Sequence, residues 1–248
     1  MCTSTRARRA RTSDWWQRTT ASLAEVIELF QITGSASFAA RAALEEAGAE
    51  YVTVDVHPRR RDETPALALV NPLNRVPALR DGEVTVYETT AVLQYVAERF
   101  PDASLAPPPG DPQRGAYLRW LAWLGNTLHG AYQPLNVPHF LTDDEAGQEG
   151  VRRKGREKLD AIGAYLEREL TGVSWCLGDR YCVADVYLYM LVGWQSYVQG
   201  GYMFGGDAVQ AHYDRVGARP AIARTRELDD LDDRLHRRHP DLRGGKPI

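Results

Sequence analysis

The sequence predicts two domains, an α/β domain followed by an all-helical domain, and three observations support this. Strand-like and helix-like segments alternate up to residue 103. A proline-rich stretch then interrupts the pattern in the manner of a linker. After it, the apolar residues recur at helical spacing only. We therefore divide the chain into an N-terminal extension (1–24), an α/β domain (25–103), a linker (104–112), a helical domain (113–239) and a C-terminal tail (240–248).

The first half of the α/β domain shows a strand, a helix, a second strand and a short helix. Strand runs are rich in Val, Ile, Tyr and Phe, and a turn at 33–37 separates the first strand from the first helix. Gly48 provides the C-terminal stop of that helix. The predicted bounds are 26–30 for the first strand, 37–47 for the first helix, 51–56 for the second strand and 65–70 for the short helix.

The second half is a hairpin followed by a helix. Asp81-Gly82 is a strong hairpin signal because it lies between two apolar runs. A helix then begins at Glu88-Thr89 and is ended by Pro101. The resulting order, βαβαββα, matches a thioredoxin-like domain.

Val76-Pro77 is the most informative dipeptide of this domain. A proline in a turn at the start of a strand is a candidate for a cis peptide bond, which would leave the Val76 amide and carbonyl without a sheet partner. Glu88 and Thr89 lie at a helix N-terminus, where free amides and the helix dipole favour a carboxylate ligand. Together these groups suit the charged end of an amino acid; the alternative is an ordinary hairpin and helix.

The second domain contains one helix that we expect to be buried. The segment 183–198 is apolar on all sides, which is typical of a core helix. At its start, Asp185 is placed to accept a hydrogen bond from the Cys182 amide, as in a capping box. The other predicted helices are 113–131, 148–170, 207–216 and 219–237.

Composition excludes several classes of protein. The 248 residues carry a net charge of −3, so overall charge gives no reason to expect nucleic-acid binding. No apolar run reaches the roughly 18 residues of a membrane span. The three cysteines include no CxxC pair, and their odd number argues against a disulfide framework, so we expect a cytoplasmic protein. Without GxGxxG, P-loop or HExxH motifs, no nucleotide or metal site is indicated.

The N-terminal extension is arginine-rich but lacks the apolar segment of a secretory signal. We expect it to be flexible. A basic arm that contacts phosphate is the alternative.

The motif set of the first domain resembles the cytosolic glutathione S-transferase family. Three elements occur in the same order and spacing as in the glutathione-binding half of that family: Val-Pro-Ala-Leu, a hairpin, and Glu-Thr opening a helix that runs to Arg-Phe-Pro. The resemblance implies a thioredoxin-like domain, an all-helical domain, and glutathione as co-substrate. It assigns glutathione binding to Val76, Pro77, Glu88 and Thr89.

Within that family the sequence is most similar to the bacterial beta class. The similarity lies in two segments, Gly34-Ser35-Ala36-Ser37 and the stretch from Trp120 to His129-Gly130. The sequence departs from the class at two positions, because Ala36 replaces its cysteine and Gln31 its tyrosine, and thiol–disulfide exchange needs that cysteine. The resemblance leaves Ser37 and His129 as catalytic candidates, with Ser35 and Gln31 as alternatives.

The remaining expectations concern ligands and partners. One of Arg59 to Arg61, or His57, is a candidate to contact the glycine carboxylate of glutathione. The segment 199–206 is either a mobile apolar lid or a plain interhelical loop. The resemblance also implies a homodimer. The residues expected to line a pocket for the electrophile are Trp123, Tyr132, Phe140, Trp194 and Tyr197.

Three functions fit these patterns. The first is a glutathione transferase that adds the thiolate of glutathione to a small apolar electrophile, as in detoxification. The second is a glutathione-dependent isomerase or a specialised biosynthetic enzyme on the same fold. The third is a non-catalytic binding or scaffold protein.

Overall fold

A computed structural model describes residues 26–197 and 204–229. The expected N-terminal extension and C-terminal tail, and most of the glycine-rich segment 199–206, lie outside the described residues.

The first domain is built on a four-stranded mixed sheet of order β2-β1-β3-β4. Strand β1 pairs in parallel with β2 and antiparallel with β3, and β3 pairs antiparallel with β4. This confirms the predicted thioredoxin-like order. The strands are β1 (Ile27–Gln31), β2 (Tyr51–Asp55), β3 (Ala78–Asp81) and β4 (Val84–Tyr87).

Three helices cover the two faces of this sheet. Successive strand residues point to opposite faces, so Leu29 packs in the main core of the molecule whereas Phe30 packs with Leu67 and Val70 in a second, smaller core. The short helix starts at Pro65, a residue suited to the first helical turn because it needs no amide donor there. The helices are α1 (Ser37–Glu46), α2 (Pro65–Val70) and α3 (Thr89–Arg99).

The hairpin turn lies one residue later than Asp81-Gly82. Asp81 pairs with Val84 in the ladder, so the loop consists of Gly82 and Glu83. Gly82 has φ 58°, a left-handed conformation that glycine adopts without steric cost.

The second domain is helical, as predicted, and is organised around α8 (Val183–Gly193). All residues from Val183 to Val192 are buried, which confirms the expected core helix. A 3₁₀ turn, Trp194–Tyr197, follows it instead of further α-helix. No sequence pattern indicated the short helix Gln133–Asn136 or the 3₁₀ turn Pro138–Phe140. The other helices are α4 (Arg114–Trp123), α5 (His129–Ala131), α6 (Gln133–Asn136), α7 (Gln148–Leu170), α9 (Asp207–Gly217) and α10 (Pro220–Asp229).

The helix predicted over 113–131 is interrupted by a π-helical segment, Leu124–Leu128. Here α3 of the first domain comes very close. A Cβ atom added to Gly125 would lie 2.5 Å from the hydroxyl oxygen of Thr90. π-Helical turns are common at functional sites, and this one directly precedes His129.

Within the described part of the chain, no helix is both long enough and apolar enough to cross a membrane.

Candidate functional site

The register of the sheet brings the predicted ligand-binding segments to one edge. Phe30 pairs with Ala78, and Ala78 pairs with Tyr87. Because these three residues lie side by side, the end of β1, the start of β3 and the end of β4 meet at the same edge. Gln31, Val76-Pro77 and Glu88 are the next residues outward on their three segments.

The Val76-Pro77 peptide bond is cis, as expected. Pro77 is buried and Val76 is half-buried. The backbone N–H and C=O of Val76 have no hydrogen-bond partner among residues 26–197 and 204–229. A peptide-like ligand at this edge would therefore find one donor and one acceptor available.

The N-terminus of α3 lies beside these groups and is open to an anionic ligand. The first helical hydrogen bond of α3 runs from the Val92 amide to the Glu88 carbonyl, so the amides of Thr89 and Thr90 precede it. No side chain among residues 26–197 and 204–229 caps this helix end. Glu88 is exposed and has φ 70°, whereas Thr89 is buried. The edge thus combines free amides, a hydroxyl and a carboxylate.

The turn between β1 and α1 holds two serine hydroxyls. Ser37 is 1% exposed, and its Oγ accepts a hydrogen bond from the Ile32 amide at 3.3 Å. The Ser35 Oγ lies 2.7 Å from the Ile32 carbonyl and 3.1 Å from the Ser37 Oγ, and it accepts from the Ser37 amide. Ser35 is the more open of the two. The Ser37 hydroxyl is therefore part of a hydrogen-bond network within the turn, and Ser35 is the more exposed member of that network.

Gln31 is directed away from this turn. Its side-chain amide donates to the Asp55 carboxylate at 2.7 Å, and its own carbonyl oxygen is buried with no hydrogen-bond partner in the described part. Gln31 therefore ties β1 to the end of β2.

His129 lies just after the π-helical segment and is largely buried. Burial lowers the pKa of its imidazole to about 4, so the ring is neutral at pH 7. Its Nδ1 is 2.7 Å from the hydroxyl of Tyr187, and its ring packs edge-on against Trp194 with centroids 4.9 Å apart. Tyr187 belongs to the segment 183–198 that the sequence predicts to be a buried apolar helix. Its neighbours in the sequence give no hint of a polar partner for its hydroxyl.

The residues expected to line an electrophile pocket fall in different places. Trp194 contacts His129, and Tyr132 lies behind Trp194, fully buried, with its hydroxyl donating to the Leu191 carbonyl. Trp123 packs on Trp120 and Tyr165. Phe140 is not brought into this group, since it is 67% exposed and packs edge-on against His139. The Tyr197 side chain lies outside the described part.

One arginine of the 59–61 cluster reaches the ligand edge. Arg61 donates to the carbonyl of Asn74, two residues before Val76. Burial and the nearby charge of Arg75 lower its pKa, although it remains a cation. His57 instead accepts the backbone amides of Arg59 and Arg60 and so shapes the turn.

One cluster of metal-ligating residue types occurs in the described part: Cys176, Asp185 and His212, all buried. The Asp185 carboxylate accepts hydrogen bonds from the backbone amides of Cys176 and Cys182. The bond from Cys182 is the capping interaction expected at the start of α8. It also lies 2.8 Å from His212 Nε2. Burial raises the pKa of the Cys176 thiol well above its usual value. The carboxylate is thus fully used in joining α8 to its surroundings, and we interpret the cluster as structural.

Comparison with known proteins gives a consistent family assignment. Residues 25–98 match the glutathione S-transferase N-terminal domain. Glutathione S-transferase GstA of Escherichia coli O157:H7 is 29% identical over 199 residues, covering 79% of this chain and 95% of that protein. Maleylacetoacetate isomerase of Pseudomonas aeruginosa is 32% identical over 160 residues, covering 62% and 74%.

Comparison with solved structures supports the same family assignment. A sphingomonad glutathione S-transferase complexed with glutathione is 31% identical with a TM-score of 0.72, covering 82% of this chain and 99% of that one. A beta-class glutathione S-transferase of Sphingomonas chungbukensis is 29% identical with a TM-score of 0.71 and the same coverage.

Proposed function

The chain belongs to the glutathione S-transferase family, and from this premise we propose that it binds glutathione and adds its thiolate to a small apolar electrophile. The observation that carries the proposal is the shared edge at which the unpartnered Val76 backbone lies beside the open N-terminus of α3.

Each group at that edge has a role that its chemistry supports. The Val76 amide and carbonyl would pair with the backbone of the cysteinyl residue of glutathione, with Pro77 holding that segment in place. Glu88 would pair with the γ-glutamyl ammonium group. The free amides of α3 and the Thr89 hydroxyl would bind the γ-glutamyl carboxylate. Arg61, which donates to the Asn74 carbonyl, would be a cation beside the segment that meets the glycine carboxylate.

The sulfur would be stabilised as a thiolate by hydrogen bonds, since donation to the charged form lowers a thiol pKa. Ser37 and His129 are the candidate donors, with Ser35 as the local alternative to Ser37. His129 would act as a neutral donor because burial keeps its pKa at about 4. Trp194, which packs on His129, would form the adjacent wall of the electrophile site.

We test glutathione binding by calorimetric titration of the wild-type protein and of Glu88→Gln, which keeps the shape of the side chain but removes its charge. We expect wild-type binding at about millimolar concentration or tighter, equivalent to about −4 kcal/mol, and at least a tenfold loss in the variant. Glu83→Gln is the matched control, since Glu83 is also exposed but lies in the hairpin loop. Absence of wild-type binding would overturn the assignment.

A second candidate function is glutathione-dependent isomerisation. It is favoured by the 32% identity to maleylacetoacetate isomerase and by the absence of tyrosine and cysteine from the 31–37 turn. Parallel assays with an aryl halide and with a cis-enone acid separate the two: conjugation consumes one glutathione per turnover, whereas isomerisation leaves it unchanged. Glutathione binding without either activity would instead support a non-catalytic binding protein.

We further propose that the protein is a cytoplasmic homodimer, as the family resemblance implies. Light scattering at micromolar concentration would test the dimer.

A further inference from the structure

A chain of buried and half-buried polar groups connects the N-terminus of α3 to His129. Its centre is Tyr187, which is 1% exposed and lies in the middle of the apolar helix α8. Its hydroxyl is 2.7 Å from His129 Nδ1. On its other side, the Thr89 and Thr90 hydroxyls lie close to the same oxygen. Thus one phenol touches both the proposed γ-glutamyl site and the proposed sulfur-binding histidine.

The fold makes room for this contact. The glycine at position 125 lets α3 approach, since an added Cβ would lie 2.5 Å from the Thr90 hydroxyl oxygen and 3.9 Å from the Tyr187 hydroxyl. The π-helical segment that contains Gly125 ends directly before His129. A phenylalanine would fill the space of the Tyr187 ring equally well, so the hydroxyl group is what distinguishes this position.

The direction of the hydrogen bond determines where the imidazole carries its hydrogen. A phenol is a stronger donor than a neutral imidazole N–H, and an imidazole nitrogen is a better acceptor than a phenolic oxygen. Nδ1 is then the acceptor, and the hydrogen lies on Nε2.

We propose that Tyr187 is a positioning residue that holds His129 in the Nε2–H tautomer, so that Nε2 donates a hydrogen bond to the sulfur of the bound thiol. The edge-on packing of Trp194 on the ring of His129 fixes the same orientation from another side. This inference rests on the proposed function for its ligand, but the tautomer itself is a property of the free protein.

The first test therefore needs no ligand. Long-range proton–nitrogen correlation spectra of ¹⁵N-histidine-labelled full-length protein at pH 7 report which ring nitrogen of His129 carries hydrogen, with His129→Gln used to assign the signals. We expect hydrogen on Nε2 only. Hydrogen on Nδ1, or an even mixture of the two forms, would overturn the proposal whether or not glutathione binds.

The second test replaces Tyr187 by Phe and compares it with Tyr117→Phe. Tyr117 is also fully buried, but its hydroxyl has no hydrogen-bond partner within the described part. We expect the Nδ1–H form of His129 to appear in Tyr187→Phe, with kcat for conjugation falling about tenfold, as for other residues that orient a catalytic group. The control should change neither quantity.

A double variant shows whether the effect passes through the histidine. Once His129→Gln is present, adding Tyr187→Phe should lower kcat by less than twofold. A full additional tenfold loss would contradict the proposal, since Tyr187 would then act by another route. If wild-type protein fails to bind glutathione, the proposed function fails, while the spectra still decide the tautomer.

Discussion

At the scale of single residues, Glu88 shows how function and local stability oppose each other. A non-glycine residue at φ 70° and ψ 122° is held in a sparsely populated conformation, which costs about 1–3 kcal/mol. Glycine would relieve the strain but would remove the carboxylate. The proposed role of the Glu88 carboxylate, which is to bind a cationic group of the ligand, gives a reason for a charged side chain at this strained position.

His129 gives the molecule a specific dependence on pH. Its folded-state pKa of about 4 lies below the unfolded value of about 6.5. Below pH 6.5 the unfolded chain therefore binds a proton that the folded protein does not, and stability falls as the pH is lowered from 6.5 towards 4. We expect this residue to account for about 2 kcal/mol of the loss between pH 7.5 and 5.

Urea unfolding at the two pH values measures this contribution, with His129→Gln as comparator. The variant should lose about 2 kcal/mol less stability than the wild type over the same interval. Equal losses in both proteins would show that the imidazole is not held neutral by burial.

The candidate site was only partly predictable from single residues. Val76, Glu88 and Thr89 were identified because turn prolines and helix N-termini have strong local signatures. Tyr187 and Thr90 were not named as candidates, because their partners are distant in the sequence and belong to different helices. A tyrosine inside an apolar run carries no local sign of what its hydroxyl meets.

At the scale of secondary structure, prediction succeeded where local chemistry decides the outcome. Pro65 and Asn71-Pro72 bracket α2, whose predicted bounds are the observed ones. The π-helical segment Leu124–Leu128 could not be anticipated, since it lies where Thr90 of the other domain approaches Gly125, a contact between residues distant in the sequence. The hairpin turn shifted by one residue because Asp81 joined the ladder.

Helix α7 provides a test of close approach between elements. A Cβ added to Gly163 would lie 2.6 Å from the backbone nitrogen of Gly205 and 3.1 Å from the Cβ of Phe204. We expect Gly163→Ala to destabilise the protein by about 2 kcal/mol, since backbone must move to make room. Gly150 in the same helix has nothing within 4 Å of such a Cβ.

Gly150→Ala is therefore the matched control, and it should be neutral or stabilising by up to about 1 kcal/mol through helix propensity. Chemical denaturation of both variants measures the difference. Similar effects at the two positions would mean that the segment around Gly205 does not pack on α7 as described.

At the scale of the whole molecule, three ion pairs among the described residues join α1 of the first domain to the C-terminal region. Glu46 pairs with Arg219 and Glu45 with Arg224, and both of these arginines are partly exposed. The third pair, Arg41–Asp229, is different, because both side chains are almost completely buried and their charged atoms are 2.5 Å apart. This pair lies where the two domains meet, so its loss should lower the unfolding free energy of the whole molecule.

We expect Arg41→Met to destabilise the protein by about 3–5 kcal/mol, because it breaks a buried ion pair by removing one of its two charges. The double variant Arg41→Met with Asp229→Leu should recover most of that loss, since two apolar side chains can replace a buried pair at little cost. Arg60→Met is the control: Arg60 pairs with Glu63, both are more than half exposed, and such a pair contributes at most about 1 kcal/mol. Urea denaturation measures all three proteins. If Arg41→Met costs no more than Arg60→Met, the buried pair does not hold the two domains together, and their apolar contacts alone must do so.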